Sequence, residues 1–271
     1  MSGAIMNNLI IKRTQFETVS GMMLQKGILL LLVLFLSLAA APVSADEESE
    51  DKAEFGFELY MWMSTLKQTT ATGDEVVLTF GDILKKLDFT LMGRGTVQKN
   101  RLFGVADVIY LGMSGSQRHD GEFLGQPIEG KLDVGIKSWI LNFVGGYDLV
   151  SNDKDQFGLA AGARYLDLSL DTTLKIGEGK RKNNISGEVW DGVVGFKGRH
   201  NYSDGHYLNY YADVGAGDSK LTWQAMANFA YDYKKFTGII GYRYLKWNFK
   251  NDSLIDDMRV HGPYLGAKWT W

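Results

Sequence analysis

From about residue 54 to the C-terminus, apolar and polar residues alternate with period two in stretches of 10–15 residues, broken by turn residues. Period two puts successive side chains on opposite faces of a strand, whereas a helix repeats its face every three or four residues. The last stretch shows the alternation most plainly. Pro263, Leu265, Ala267, Trp269 and Trp271 share one face, and Tyr264, Gly266, Lys268 and Thr270 the other. Trp223, Ala225, Ala227, Phe229 and Tyr231 likewise oppose Thr222, Gln224, Met226, Asn228 and Ala230. Phe236, Gly238, Ile240, Tyr242 and Tyr244 oppose Thr237, Ile239, Gly241, Arg243 and Leu245. Trp190, Val194 and Phe196 oppose Asp191, Gly195, Lys197 and Arg199.

The pattern predicts ten strands, near 54–66, 88–98, 102–112, 132–148, 156–171, 188–200, 206–216, 221–232, 236–249 and 258–271. Connections at 99–101, 149–155, 201–205 and 233–235 are short. Those at 67–87, 113–131 and 172–187 are long, 250–257 is intermediate, and 217–220 breaks the rule. Short turns at one end and long loops at the other are the mark of a membrane barrel. The expected fold is therefore all-β, a transmembrane antiparallel up-and-down barrel of about ten strands, with eight or twelve as alternatives. An even count places both chain ends on the short-turn, periplasmic side. In the first long loop, Gly81–Leu87 reads as one or two helical turns with Asp82 near the start, packed on the barrel rim or acting as a gate.

Alternation alone does not say which face is outside. Three features put the aromatic face in lipid. Small and charged residues fit a narrow ten-stranded lumen, while a charge on the lipid face would cost about 2–4 kcal/mol at the midplane. Aromatics gather near strand ends, at Tyr60, Trp62, Tyr110, Trp190, Tyr242, Tyr244, Trp269 and Trp271, as expected at a membrane–water interface. A closed barrel also pairs every backbone group, which lipid demands.

Composition changes the picture at the N-terminus. Residues 27–41 form one apolar run after Lys26, and Val43-Ser44-Ala45 follows. This reads as a secretory signal cleaved near Ala45, with residues 1–21 as an extension ahead of a start at Met22 or Met23. An uncleaved anchor is disfavoured, since a span wants about 20 apolar residues. Residues 46–54 are an acidic periplasmic leader with six acids against Lys52, and 55–271 the barrel. The net charge of −3 hides a balance, because the 217 residues after the leader hold 25 acids and 25 bases. Balanced charge argues against nucleic-acid binding. With no Cys there is no thiol catalysis, disulfide or Cys-ligated metal. A mean hydropathy of −0.14 suits a soluble domain only while the alternation is ignored.

The final strand, apolar at alternate positions and ending in Trp271, resembles the C-terminal targeting signal of bacterial outer-membrane barrels, which implies the barrel assembly machinery as a partner. Several motifs resemble an uncharacterised proteobacterial outer-membrane barrel family, of the small OmpA/OmpW-like kind. They are Trp190-Asp191-Gly192-Val193-Val194-Gly195, Asp213-Val214-Gly215, Leu221-Thr222-Trp223-Gln224, Gly241-Tyr242-Arg243-Tyr244-Leu245 and Gly262-Pro263-Tyr264-Leu265-Gly266. Ala216-Gly217-Asp218 departs mildly from that pattern. The resemblance implies a barrel in the outer membrane, among lipid and lipopolysaccharide, and no particular activity.

The candidate chemistry is a lumen charge set: Glu58, Arg94, Asp107, Arg164, Asp191, Lys197, Arg199, Asp213, Arg243 and Lys268. Paired, these groups would plug the lumen; unpaired, they would line a narrow channel for small polar solutes. A membrane-embedded hydrolase is the remaining alternative, with His261 at the outer rim activated by Asp167, Asp256 or Asp257. No Ser sits in a nucleophile motif, His200 and His206 flank a short turn, and His119 lies in a long loop. The basic run Gly177–Lys182 lacks phosphate-loop spacing and reads as a solvated loop that could meet lipopolysaccharide phosphates. No metal site and no cofactor is expected.

Overall fold

The computed structural model describes residues 52–70, 73, 75–123, 126–176, 179–250 and 255–271. The expected signal and residues 46–51 of the acidic leader lie outside them. The strands are β1 (Glu54–Trp62), β2 (Thr65–Thr70), β3 (Glu75–Leu78), β4 (Leu87–Lys99), β5 (Leu102–Phe123), β6 (Gln126–Ser151), β7 (Asp155–Ile176), β8 (Gly179–Ser203), β9 (His206–Gly217), β10 (Leu221–Asp232), β11 (Thr237–Asn248) and β12 (Ile255–Thr270). One helix, α1 (Phe80–Lys86), precedes β4.

Ten strands, in the order β1, β4 and then β5 to β12, pair antiparallel with their neighbours, and β1 pairs with β12 to close the barrel. Closure runs to the last residue, since Phe55 and Trp271 exchange backbone hydrogen bonds of 2.9 and 3.0 Å. Past a break at Met63-Ser64 the chain continues as β2, still beside β12, and β3 folds back on β2. The β1–β4 ladder stops at Leu59 and Gly93, and above it the Trp62 N–H meets the Met92 sulfur at 3.2 Å. Tight turns are built by left-handed residues, Asn100 (φ 54°) between β4 and β5 and Gly205 (φ 75°) between β8 and β9. A Cβ at Gly241 would run into the Ala227 carbonyl of the neighbouring strand, so glycine there lets β10 and β11 meet.

The faces follow the alternation. Val194, Phe229, Ile240 and Leu265 point outward and are exposed, while Arg164, Arg243, Leu245 and Trp247 point inward and are fully buried. A row of outward aromatics circles the barrel: Tyr110 on Trp139 at 4.5 Å, Tyr165 on Trp190 at 4.6 Å, Trp223 on Tyr244 at 4.7 Å, and Tyr244 on His261 at 5.5 Å. Eight residues further down their strands stand Tyr147, Phe157, Tyr231, Phe236 and Trp269. Eight residues are about 26 Å of strand, or about 20 Å of height at a tilt near 40°, close to the apolar band of a spanning barrel. No helix among the described residues is long and apolar enough to cross a membrane; the crossing is made by strands.

In the stretches 113–131 and 172–187, expected as loops, the described residues are instead strand. β5 to β8 are 22, 26, 22 and 25 residues long, against 12 for each of β9, β10 and β11. They continue 11 to 13 residues past the upper aromatic row, roughly 35–45 Å of additional strand. Gly179–Lys182 of the basic run open β8, while Gly177 and Glu178 lie outside the described residues. In this extension the polarity reverses. Lys137, Asp171, Asn184 and Glu188 now point outward, and Leu132, Val134, Ile136, Leu168, Leu170 and Val189 inward. The helix is where the sequence placed it. Thr79 caps it in a reciprocal capping box with Asp82, and that hydrogen bonding holds the Asp82 carboxyl below the ordinary carboxylate range. Its buried Ile83 faces Met113, Val134 and Ile136, so α1 covers part of the apolar inner face of the extension.

Candidate functional site

The middle of the lumen is held by two linked hubs. Glu58 and Tyr60 come from β1, Arg94 from β4, Asp107 from β5 and Arg243 from β11, all at inward positions of their strands. Asp107 accepts from the Tyr60 hydroxyl at 2.6 Å and pairs with Arg243 at 2.8 Å and Arg94 at 3.7 Å. Arg94 also pairs with Glu58 at 3.2 Å. Arg243 donates its Nε to Gln224 at 2.8 Å and an Nη to the Tyr60 oxygen at 3.1 Å. The second hub is Arg164 on β7. Its guanidinium donates to Asn142 at 2.7 Å, Thr222 at 2.9 Å and both Asp213 oxygens at 2.6 and 2.8 Å. Asn142 joins the hubs, because its amide nitrogen donates to Asp107 at 3.3 Å while its oxygen accepts from Arg164.

An apolar layer lies above the hubs. Trp62, Leu166, Leu245, Trp247, Met258 and Val260 fill the lumen and are nearly fully buried. The two layers touch. The Arg243 guanidinium lies 5.0 Å from the Trp62 ring centre and that of Arg164 6.0 Å from Trp247. Placing Tyr60 and Trp62 among the interface aromatics is therefore corrected. They share the inward parity of Glu58, so an inward Glu58 requires them inside as well. Trp190, Tyr242, Trp269 and Trp271 point outward and are exposed, and Tyr244 is outward and half-buried.

The structure gathers Arg94, Asp107, Arg164, Asp213 and Arg243 and leaves four candidates outside this network. Asp191, buried beside the upper aromatic row on β8, accepts from the Ser219 N–H at 3.0 Å and hydroxyl at 2.8 Å, and so holds the turn between β9 and β10 rather than pairing with a cation. Lys197, Arg199 and Lys268 line a cavity nearer the short-turn end. There Lys197 pairs with Asp148 at 3.3 Å. Asn142, Gln224, Thr222 and Asp148 were not expected among the lumen groups from the sequence, and Tyr60 was expected at the interface. Their inward parity was available, but neutral polar groups do not stand out as charges do, and Asp148 sits just before a bulge that shifts the register.

His261 does not meet its expected partners. Its Nδ1 lies 2.9 Å from the outward Tyr242 hydroxyl. Asp167 stands five strands away on β7, taking the Ser169 hydroxyl at 3.4 Å, and Asp257 is taken by Arg259 at 2.6 Å and Thr69 at 3.2 Å. The Asp256 side chain faces the opposite way along β12 from His261. His200 pairs with Asp155 and His206 with Ser203 at the short turns, and the His119 side chain lies outside the described residues.

No family model and no curated protein matches the chain. Among solved structures, the outer membrane protease OmpT from Escherichia coli is 12% identical over 84% of this chain and 99% of that one, with a TM-score of 0.46. The translocator domain of the autotransporter NalP from Neisseria meningitidis is 14% identical over 90% and 97%, with a TM-score of 0.43. The attachment invasion locus protein Ail of Yersinia pestis, crystallised with the heparin analogue sucrose octasulfate, is 11% identical over 82% and 99%, with a TM-score of 0.35.

Proposed function

We propose that the protein is an integral barrel of the bacterial outer membrane with a closed lumen, acting through the surfaces it presents rather than by conduction or hydrolysis. One observation carries this reading: the Asp107–Arg243 and Arg164–Asp213 pairs, bridged by Asn142, occupy the mid-lumen with side chains 0–5% exposed. A solute would have to break buried charge pairs and then pass the Trp62–Trp247 layer. The extension of β5 to β8, polar outside and apolar inside, supports an interaction role, since it stands beyond the apolar band at the end of the barrel opposite Phe55 and Trp271. Planar-bilayer recording of the refolded chain tests the closed lumen. The expected trace is flat, and unitary steps of reproducible size would overturn the reading.

A further inference from the structure

Below the Asp107–Arg243 hub the lumen opens into a cavity of about 300 Å³ whose rim includes Glu54, Gln98, Gln156 and Arg199, toward the short-turn end. That volume is at the lower end of small-molecule sites. Four cations line it: Arg94, already held by Glu58 and Asp107 in the hub above, and Lys197, Arg199 and Lys268. Lys197 has Asp148 at 3.3 Å and lies over the Phe103 ring at 3.7 Å. Arg199 gives its Nε to the Asn209 amide oxygen at 3.1 Å and lies over Tyr207 at 4.2 Å. Both of its terminal amines are left without a partner among the described residues. Lys268 has no hydrogen-bonded or ion-paired partner among the described residues; Arg199 acts on it as a like charge, and the Glu54 and Glu58 carboxylates act on it as opposite charges from beyond pairing distance. Its cross-strand neighbour Glu58 is already engaged by Arg94 through one oxygen, while the other, Oε1, is buried without a partner.

Partly desolvated cations facing one another favour an anion between them, and an orphaned carboxylate oxygen favours a donor. We propose that this cavity is a binding site, open to the periplasm, for a small hydroxylated organic anion. Its carboxylate is held by Arg199 and Lys268, its hydroxyl donates to Glu58 Oε1, and its carbon skeleton lies against Phe103 and Tyr207. The site lies beneath the hubs, and its occupancy is independent of whether the lumen conducts.

Calorimetric titration of the refolded full chain in micelles tests this, with gluconate as the probe, glucose as its uncharged counterpart and propionate as the anion without hydroxyls. Saturable gluconate binding is expected, at least about tenfold tighter than propionate, with none for glucose. Arg199→Gln and Lys268→Gln should each weaken it by about tenfold or more, and Arg199→Lys, which keeps the charge, should weaken it less. Heat-modified gel mobility verifies that each variant is folded. The proposal is overturned by no saturation at about 10 mM gluconate, the range of affinities too weak to be a site. Equal binding of glucose, or unchanged affinity in both glutamine variants, also overturns it. So does binding that emerges only once Glu47, Glu48 and Glu50 are changed to Gln, which would make the chain's own acidic leader the occupant.

Discussion

The four long strands obey opposite rules on the two sides of the upper aromatic row. Below it, β8 turns Val194 outward at 60% exposure and Asp191 inward at 2%. Above it, the same strand turns Lys182 and Glu188 outward and Ile185 and Val189 inward. Strand parity runs unbroken through the row, so the reversal is written in the residue types and not in a register shift. The outer face meets lipid below and water above, and the inner face adjusts in turn, to paired charges in the narrow lumen and to an apolar concave face under α1.

The comparison breaks most readily at a buried charge. Arg164→Ala strands Asp213 and Asn142, and should cost about 3–5 kcal/mol in urea titration of the folded barrel. In the extension, Lys175→Ala removes only a half-exposed pair with Asp133 at 3.8 Å and should stay within about 0.5 kcal/mol. Equal losses would mean that the hubs are not an isolated interior. Next comes the outer face. Val194→Arg should cost about 2–4 kcal/mol and folding yield, whereas Thr173→Arg, outward but above the row, should be nearly neutral.

Smaller effects sharpen the picture. Excising 172–183 and rejoining the ends should leave the gel-shift temperature of the barrel unchanged, since the lumen hubs lie wholly below the cut. Acid should act locally. Hydrogen bonds from Lys131 and Ser116 hold the Asp133 carboxyl below the ordinary carboxylate range. A lowered carboxylate pKa contributes stability above the unfolded value and loses it as pH falls through the folded one. Protection factors in the β6–β7 extension, corrected for the intrinsic pH dependence of exchange, should therefore fall as the pH is lowered through the carboxylate range, by little because the group is exposed, while the protection factor at Arg164 stays unchanged.

Much of the barrel could be read from alternation because lipid enforces it. Pro263 to Trp271 and Phe236 to Leu245 face as their pattern said, and ten strands close the barrel. The extension could not, because Leu132, Val134 and Ile136 keep the inward parity of Asn142 but trade polar for apolar, and their outward neighbours are Lys, Asp and Gly, the residues of a loop. In the lumen the charges could be found by parity, while Asn142, the link between the hubs, has the same inward parity but is neutral and does not stand out. Tyr60 and Trp62 misled because an aromatic near a strand end looks the same whether it faces lipid or caps a lumen.

The absence of native Cys makes the central claim, a change of environment at the aromatic row, directly measurable. Single-cysteine variants Asp171→Cys and Val194→Cys would be expressed in a Gram-negative host and exposed on intact cells to a membrane-impermeant maleimide. The account predicts fast labelling at 171 and none at 194 until the barrel is unfolded. Labelling of 194 as fast as 171, or of 171 only after the cells are permeabilised, would contradict it.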